Sequence, residues 1–167
     1  LGVSKKQEAP ENYFLGKFGS IGLAILFVIH LLLPLRHHLF QGDVAWTEEG
    51  HRYSWRMMLR HKTGKGSFTV KGTGGQSEVV RPHTLMNAKF ARKMYTHPDM
   101  IWQTGQHIKS IYEKKGWKEV GVYANIQCRL NYRKYQNFVD PEIDLGSEPW
   151  DFFKSKSWIL PEEKEED

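Results

Sequence analysis

From Phe18 to Leu35 the chain carries no formally charged side chain, and the run stops at Arg36-His37-His38. As a helix this stretch would be roughly 27 Å long, close to the hydrocarbon thickness of a bilayer. Lys17 and Arg36 bracket it, so it reads as one transmembrane helix over residues 17–38. A secretory signal peptide would need a small-residue cleavage site after the apolar run, and Pro34-Leu35-Arg36-His37 offers none. A buried helix of a soluble protein ranks below the membrane reading, because the span lacks charge on every side. Whether the helix is more than an anchor depends on the residues downstream.

Beyond the span the chain runs without a linker into a basic, aromatic-rich segment. Residues 1–16 are polar and read as an extramembrane loop, and a start at Leu1 suggests a piece of a longer protein. Residues 39–161 read as one extramembrane domain, and residues 162–167 as an acidic tail. The net charge of +5 includes that tail, so the folded part is more basic than the total. Such a surface favours anionic partners: lipid headgroups or a Glu/Asp-rich peptide. Nucleic acid is not expected, since no recognition motif accompanies the charge. The single cysteine, Cys128, excludes an intrachain disulfide and a cysteine-based zinc site, and no other metal-ligand spacing appears.

The periodicities predict a mixed α+β domain of antiparallel strands with two inserted helices. Tyr53, Trp55, Met57 and Leu59 alternate with Ser54, Arg56, Met58 and Arg60, a period of two that marks a strand. Gly64-Lys65-Gly66 then predicts a turn into a short strand, Ser67 to Lys71, and Gly72-Thr73-Gly74-Gly75 a second turn into Ser77 to Val80. Ala88, Ala91, Met94 and Tyr95 fit one helical stripe, and Ile101, Ile108, Ile111 and Tyr112 another. Between them Thr96-His97-Pro98-Asp99 predicts a Thr cap with proline in the first turn. Val120, Val122, Ala124, Ile126, Cys128 and Leu130 give the clearest strand, and Tyr135 to Val139 predicts its return partner, ended by Asp140-Pro141.

Several groups are candidates for chemistry. His30 and His37 lie seven residues apart, with Pro34 between them, so a continuous helix would put them nearly on one face. One reading is a proton-handling or cofactor-contacting pair. The other makes His30 a hydrogen-bonded packing residue and His37 an interfacial one. Tyr53, Trp55, Arg60, His61 and Lys62 gather aromatics and cations just beyond the span, where a headgroup belt is the plainer account. Arg129, Arg133 and Lys134 can grip a peptide carboxylate or form an ordinary solvated face. No Ser/His/Asp arrangement, phosphate loop or dinucleotide fingerprint is present.

Taken in order, Leu33-Pro34, His37, Gln41-Gly42, Trp46-Thr47, Tyr53-Ser54-Trp55, Met57-Met58, His97-Pro98-Asp99-Met100, Asp140-Pro141, Asp144, Trp150, Ser157-Trp158 and Pro161 carry a family likeness. The chain resembles the vitamin K-dependent gamma-carboxylases from about Val28 to Pro161. The resemblance implies a polytopic membrane enzyme that couples oxidation (epoxidation) of reduced vitamin K by oxygen to carboxylation of protein glutamate by carbon dioxide. It implies that this chain is the last transmembrane helix plus the lumenal or extracytoplasmic domain. It further implies that the quinol-deprotonating lysine lies in upstream helices, so the chain alone would be silent. His30, by its spacing from His37, is a cofactor contact, and by the same resemblance His37, Tyr53 and Trp55 are catalytic candidates and Trp46 a cofactor contact. Arg60, Lys62, Arg129 and Arg133 are its candidates for binding the glutamate-bearing substrate, and no metal is implied. His51, Arg60 and Lys62 depart from the vertebrate pattern of tyrosine, histidine and arginine. Residues from about Ile126 to Asp140 match the region that binds the substrate's targeting segment, with Gln127 in place of an aromatic. The alternative is a membrane-anchored module without catalysis that recognises acidic peptides or lipid headgroups.

Overall fold

The computed structural model describes residues 16–40, 42–51, 54 and 60–163. The chain divides into two units after Leu33, and each is treated by itself. In the first unit, Lys17–Leu32 forms helix α1, and none of its residues is buried. A 3₁₀ stretch, Leu33–Leu39, continues it. The change of pitch falls at Pro34, which has no N–H for an α-type bond. Lys17–Leu39 is long and apolar enough to cross a membrane. A helix that is hydrophobic all round needs an apolar surrounding, and here it is exposed.

The second unit begins at Pro34, inside that 3₁₀ stretch, passes through a short helix, α2 (Val44–Thr47), and is built on four strands. These are β1 (Lys62–Lys71), β2 (Ser77–Val80), β3 (Gly121–Leu130) and β4 (Gln136–Asn137). They form one antiparallel sheet in the order β2-β1-β3-β4. Helices α3 (Ala88–Met94) and α4 (Pro98–Lys114) lie between β2 and β3 in the chain. The domain is thus α+β, with antiparallel strands and two inserted helices. Both inserted helices cover one face of the sheet. There Phe68 and Val70 of β1 and Val122, Ala124, Ile126 and Cys128 of β3 meet Met94, Ile101, Ile108 and Tyr112. The alternation read for β3 holds, with every residue of its apolar set buried. The other face stays open and polar, with Thr63, Lys65 and Thr69 beside Arg129, Gln127 and Tyr123. After β4 the chain crosses back to seat Phe138, Leu145 and Trp158 in the core.

Three local expectations change, and a fourth falls largely outside the described residues. Gly64-Lys65-Gly66 is no turn: it lies inside β1, paired with Cys128, Gln127 and Ile126. Gly64 lies against Tyr95, and Gly66 against the backbone of β3. A Cβ on Gly64 would stand 2.6 Å from Tyr95 Cβ, and one on Gly66, at φ +155°, would stand 2.2 Å from the Asn125 carbonyl oxygen. The missing side chain of Gly64 makes room for Tyr95, whose hydroxyl donates to the Gly66 carbonyl at 3.0 Å. The cap of α4 is His97 and not Thr96. The Thr96 hydroxyl instead donates back to the Lys93 carbonyl at 3.0 Å. The strand expected over Tyr135 to Val139 pairs as a ladder only at Gln136–Asn137, because Val139 turns to bridge Ile159. Of the strand expected over Tyr53 to Arg60, only Ser54 and Arg60 are described. Ser54 sits in a bend closed by its amide and hydroxyl on the His51 carbonyl.

Candidate functional site

The segment from Arg36 to Gly50 organises one end of the domain. Asp43 caps α2, its carboxylate accepting from the Ala45 amide at 2.8 Å. That cap directs the Trp46 indole into the core, where its N–H donates to the Leu160 carbonyl at 2.8 Å and its ring meets Phe138 edge-on. Lys62 enters the same space from the inner face of β1. Its ammonium donates to the Trp46 and Thr96 carbonyls and lies 3.5 Å from the centre of the Phe138 ring. Burial lowers the Lys62 pKa to about 8, although Cys128 and Glu48 pull the other way. Arg60 is paired with Glu48 through two guanidinium nitrogens, and both side chains are nearly enclosed.

Beside this cluster is a cavity of about 550 Å³ with aromatic walls from Phe40, Trp102, Trp150 and Phe152. Arg36, Glu49, Asp99, Asp151 and Lys156 supply the charged part of its lining. The Glu49 carboxylate is buried and accepts from the Lys156 amide at 2.8 Å. Burial raises its pKa, and the Lys156 amide bond and charge offset part of the rise. The Lys156 ammonium lies 4.7 Å from the Trp150 ring centre, and burial lowers its pKa. Arg36 stacks on Phe40 and keeps its Nε buried, without a hydrogen-bond partner among the described residues. Gly50, at φ +65°, lets His37 come close: a Cβ there would lie 2.7 Å from His37 Cα. The His37 ring is fixed by its Nδ1, which donates to the Pro34 carbonyl at 2.7 Å. Its neighbour His38 does not point away, as adjacency predicts, because the two rings lie 4.0 Å apart.

A model of the vitamin K-dependent gamma-carboxylase lumenal domain matches residues 16–165. The chain belongs to this family. No solved structure matches it. The dispersed Trp, His-Pro and Asp-Pro landmarks thus mark one lumenal domain. The Asp144 of that pattern has a clear task, its Oδ1 accepting from the Val122 and Gly146 amides at 2.7 and 2.9 Å.

The lumenal domain distributes the sequence-derived site residues among several places. Of the catalytic candidates, His37 lies beside Gly50 at the cavity edge, while Tyr53 and Trp55 fall outside the described residues. Of the cofactor candidates, His30 is exposed on α1 with Nδ1 donating to the Leu26 carbonyl at 2.8 Å. Trp46, at 1% exposure, is enclosed in the core and does not line the cavity. Arg60 and Lys62 point inward to Glu48 and the Trp46–Phe138 pair, so neither offers its cation to an incoming carboxylate. Arg129 is on the open sheet face, donating to the Thr63 hydroxyl at 3.0 Å and stacked on Tyr135. Arg133, half exposed, holds Glu162 at 2.8 Å. Nothing in the local pattern signals Arg36, Glu49, Trp102 or Lys156, which come together only through the fold. Trp150 is visible as a landmark, with no hint of its cavity.

Proposed function

We propose that this chain is the lumenal part of a membrane enzyme that couples oxidation of reduced vitamin K to carboxylation of protein glutamate. In this reading it binds substrate and forms part of the rim of the reaction site. The match across residues 16–165 is the observation that carries the proposal. The cavity beside His37 supports it. A reduced naphthoquinone is a flat apolar ring with two oxygens, and the lining suits such a ring. Phe40, Trp102 and Trp150 would hold its faces, and the Arg36 guanidinium, whose Nε has no partner among the described residues, would donate to an oxygen.

Reduced vitamin K, with oxygen, supplies a base stronger than any side chain, which the γ-carbon of glutamate requires before carbon dioxide can add. The residues of this chain orient groups, exclude water and hold protons. His37 has its ring fixed by the Pro34 carbonyl, so its other nitrogen is presented in one direction. Glu49 is kept from water and is suited to hold a proton. Tyr53 and Trp55 are retained as catalytic candidates on the family pattern alone, and His30 as a membrane-level cofactor contact on its seven-residue spacing from His37. Arg129 and Arg133 are assigned to the glutamate-bearing peptide, on the face that carries no helix. The remaining partners in this reading are the membrane around α1 and the upstream helices of the parent protein.

The test is His37→Ala in the full-length membrane protein. Reduced-quinone oxidation is expected to vanish while the thermal melting of the lumenal domain stays the same. Unchanged turnover would remove His37 from the reaction site.

A further inference from the structure

The far edge of the sheet carries a second surface with features of its own. β2 is an edge strand, hydrogen-bonded to β1 on one side, with no strand beyond it among the described residues. Its residues Glu78 and Val79 are exposed, Val79 by 60%. Between this edge and α4 runs a groove of about 490 Å³. Val80, Leu85, Ile108 and Ile111 form the apolar part of its lining. An unpaired strand edge presents amides and carbonyls at the spacing of an extended chain. An apolar channel alongside accepts every second side chain of such a chain.

The charges select the partner. Arg81 and Lys115 line the groove, both exposed. The lining also holds one carboxylate, Glu78; burial raises the Tyr112 pKa, and the charge of Glu78 helps to raise it. Lys115 rests its ammonium over the Tyr112 ring at 4.2 Å and so stands at the rim. Two cations on the lining outnumber one carboxylate, which favours an acidic occupant over a basic one.

We propose that the β2–α4 groove is a docking site for an extended acidic peptide, which adds to the sheet as a fifth strand beside β2. Alternate apolar side chains of the peptide enter the groove, and its carboxylates meet Arg81 and Lys115. The site stands on the opposite side of the sheet order from β4 and Arg133, and it does not depend on the carboxylase reading.

The experiment uses the whole chain in detergent micelles and a labelled synthetic peptide of alternating valine and glutamate, followed by fluorescence anisotropy. Binding is expected to weaken roughly tenfold or more when alternate peptide amides are N-methylated, and again when lysine replaces glutamate. Ile111→Glu and Lys115→Glu are each expected to weaken it roughly tenfold, and Lys154→Glu, at an exposed lysine outside both sites, to leave it unchanged. Lys115 is exposed, so its variant keeps the fold even if Ile111→Glu disturbs it. No binding of the glutamate peptide overturns the proposal. So does equal affinity for the N-methylated peptide, or a loss in Lys154→Glu equal to that in Lys115→Glu.

Discussion

Lys62 shows how one residue's chemistry is set by its surroundings. In the sequence it is a cation near aromatics, as a surface grip would be. In the fold its ammonium is held between two carbonyls and the Phe138 ring, and its pKa falls from 10.5 to about 8. Burial penalises the charged form, and the opposing charges return only part of that cost. Between pH 8 and 10.5 the unfolded chain therefore keeps a proton that the folded one has released. Stability rises with pH across that window, and the gain is lost again as pH falls back to 8. Urea midpoints measured at pH 8 and pH 10 should show this rise, and Lys62→Met should remove it. An identical rise in the variant would assign it to another group. Arg60 obeys the same logic: its charge completes an ion pair with Glu48 instead of waiting for a substrate.

At the scale of elements, β1 departs most from its sequence. Gly-Lys-Gly between polar residues is strong turn chemistry, yet β1 runs straight through it for ten residues. The deciding interaction is long-range: the end of α3 drops Tyr95 onto the strand, and only glycine leaves space beneath it. At Gly66 the neighbouring strand sets the limit, so Gly66→Ala should cost about 2 kcal/mol or more, from strain against the Asn125 carbonyl. Calorimetry should record a melting temperature lower by roughly 6 °C. A variant that melts with the parent would show that β1 shifts to accept the methyl. β3 needed no such correction. Its alternation of apolar and polar residues matches a strand with one covered face, so local pattern and tertiary environment agree.

For the whole molecule, the division after Leu33 separates a helix that buries nothing from a domain with its own core. Every residue of that core lies at or after Trp46, apart from Ala45 packed at its margin. Residues 34–167 produced without the apolar helix should thus fold alone, with a cooperative melt and near-ultraviolet dichroism from packed tryptophans. A broad melt without near-ultraviolet signal would mean that the helix or the membrane completes the fold. The apolar helix itself belongs in a nonpolar surrounding, in keeping with a membrane protein whose lumenal domain comes after the span.

The sequence by itself determined what depends on near neighbours along the chain. The apolar span, the two helical stripes, the alternation in β3 and the ordered landmarks of the gamma-carboxylase family were all legible, because period and spacing are local properties. Tertiary structure alone decided what depends on distant residues meeting. Glu49 accepts the amide of Lys156, and Trp102 and Trp150 close the cavity over them, although the two tryptophans stand far apart in the chain. The fold also turned Arg60 and Lys62 inward, since an enclosed cation must find its countercharge or carbonyl inside the protein. No periodicity encodes such a meeting: burial acts on side chains only after the chain has returned to the same place.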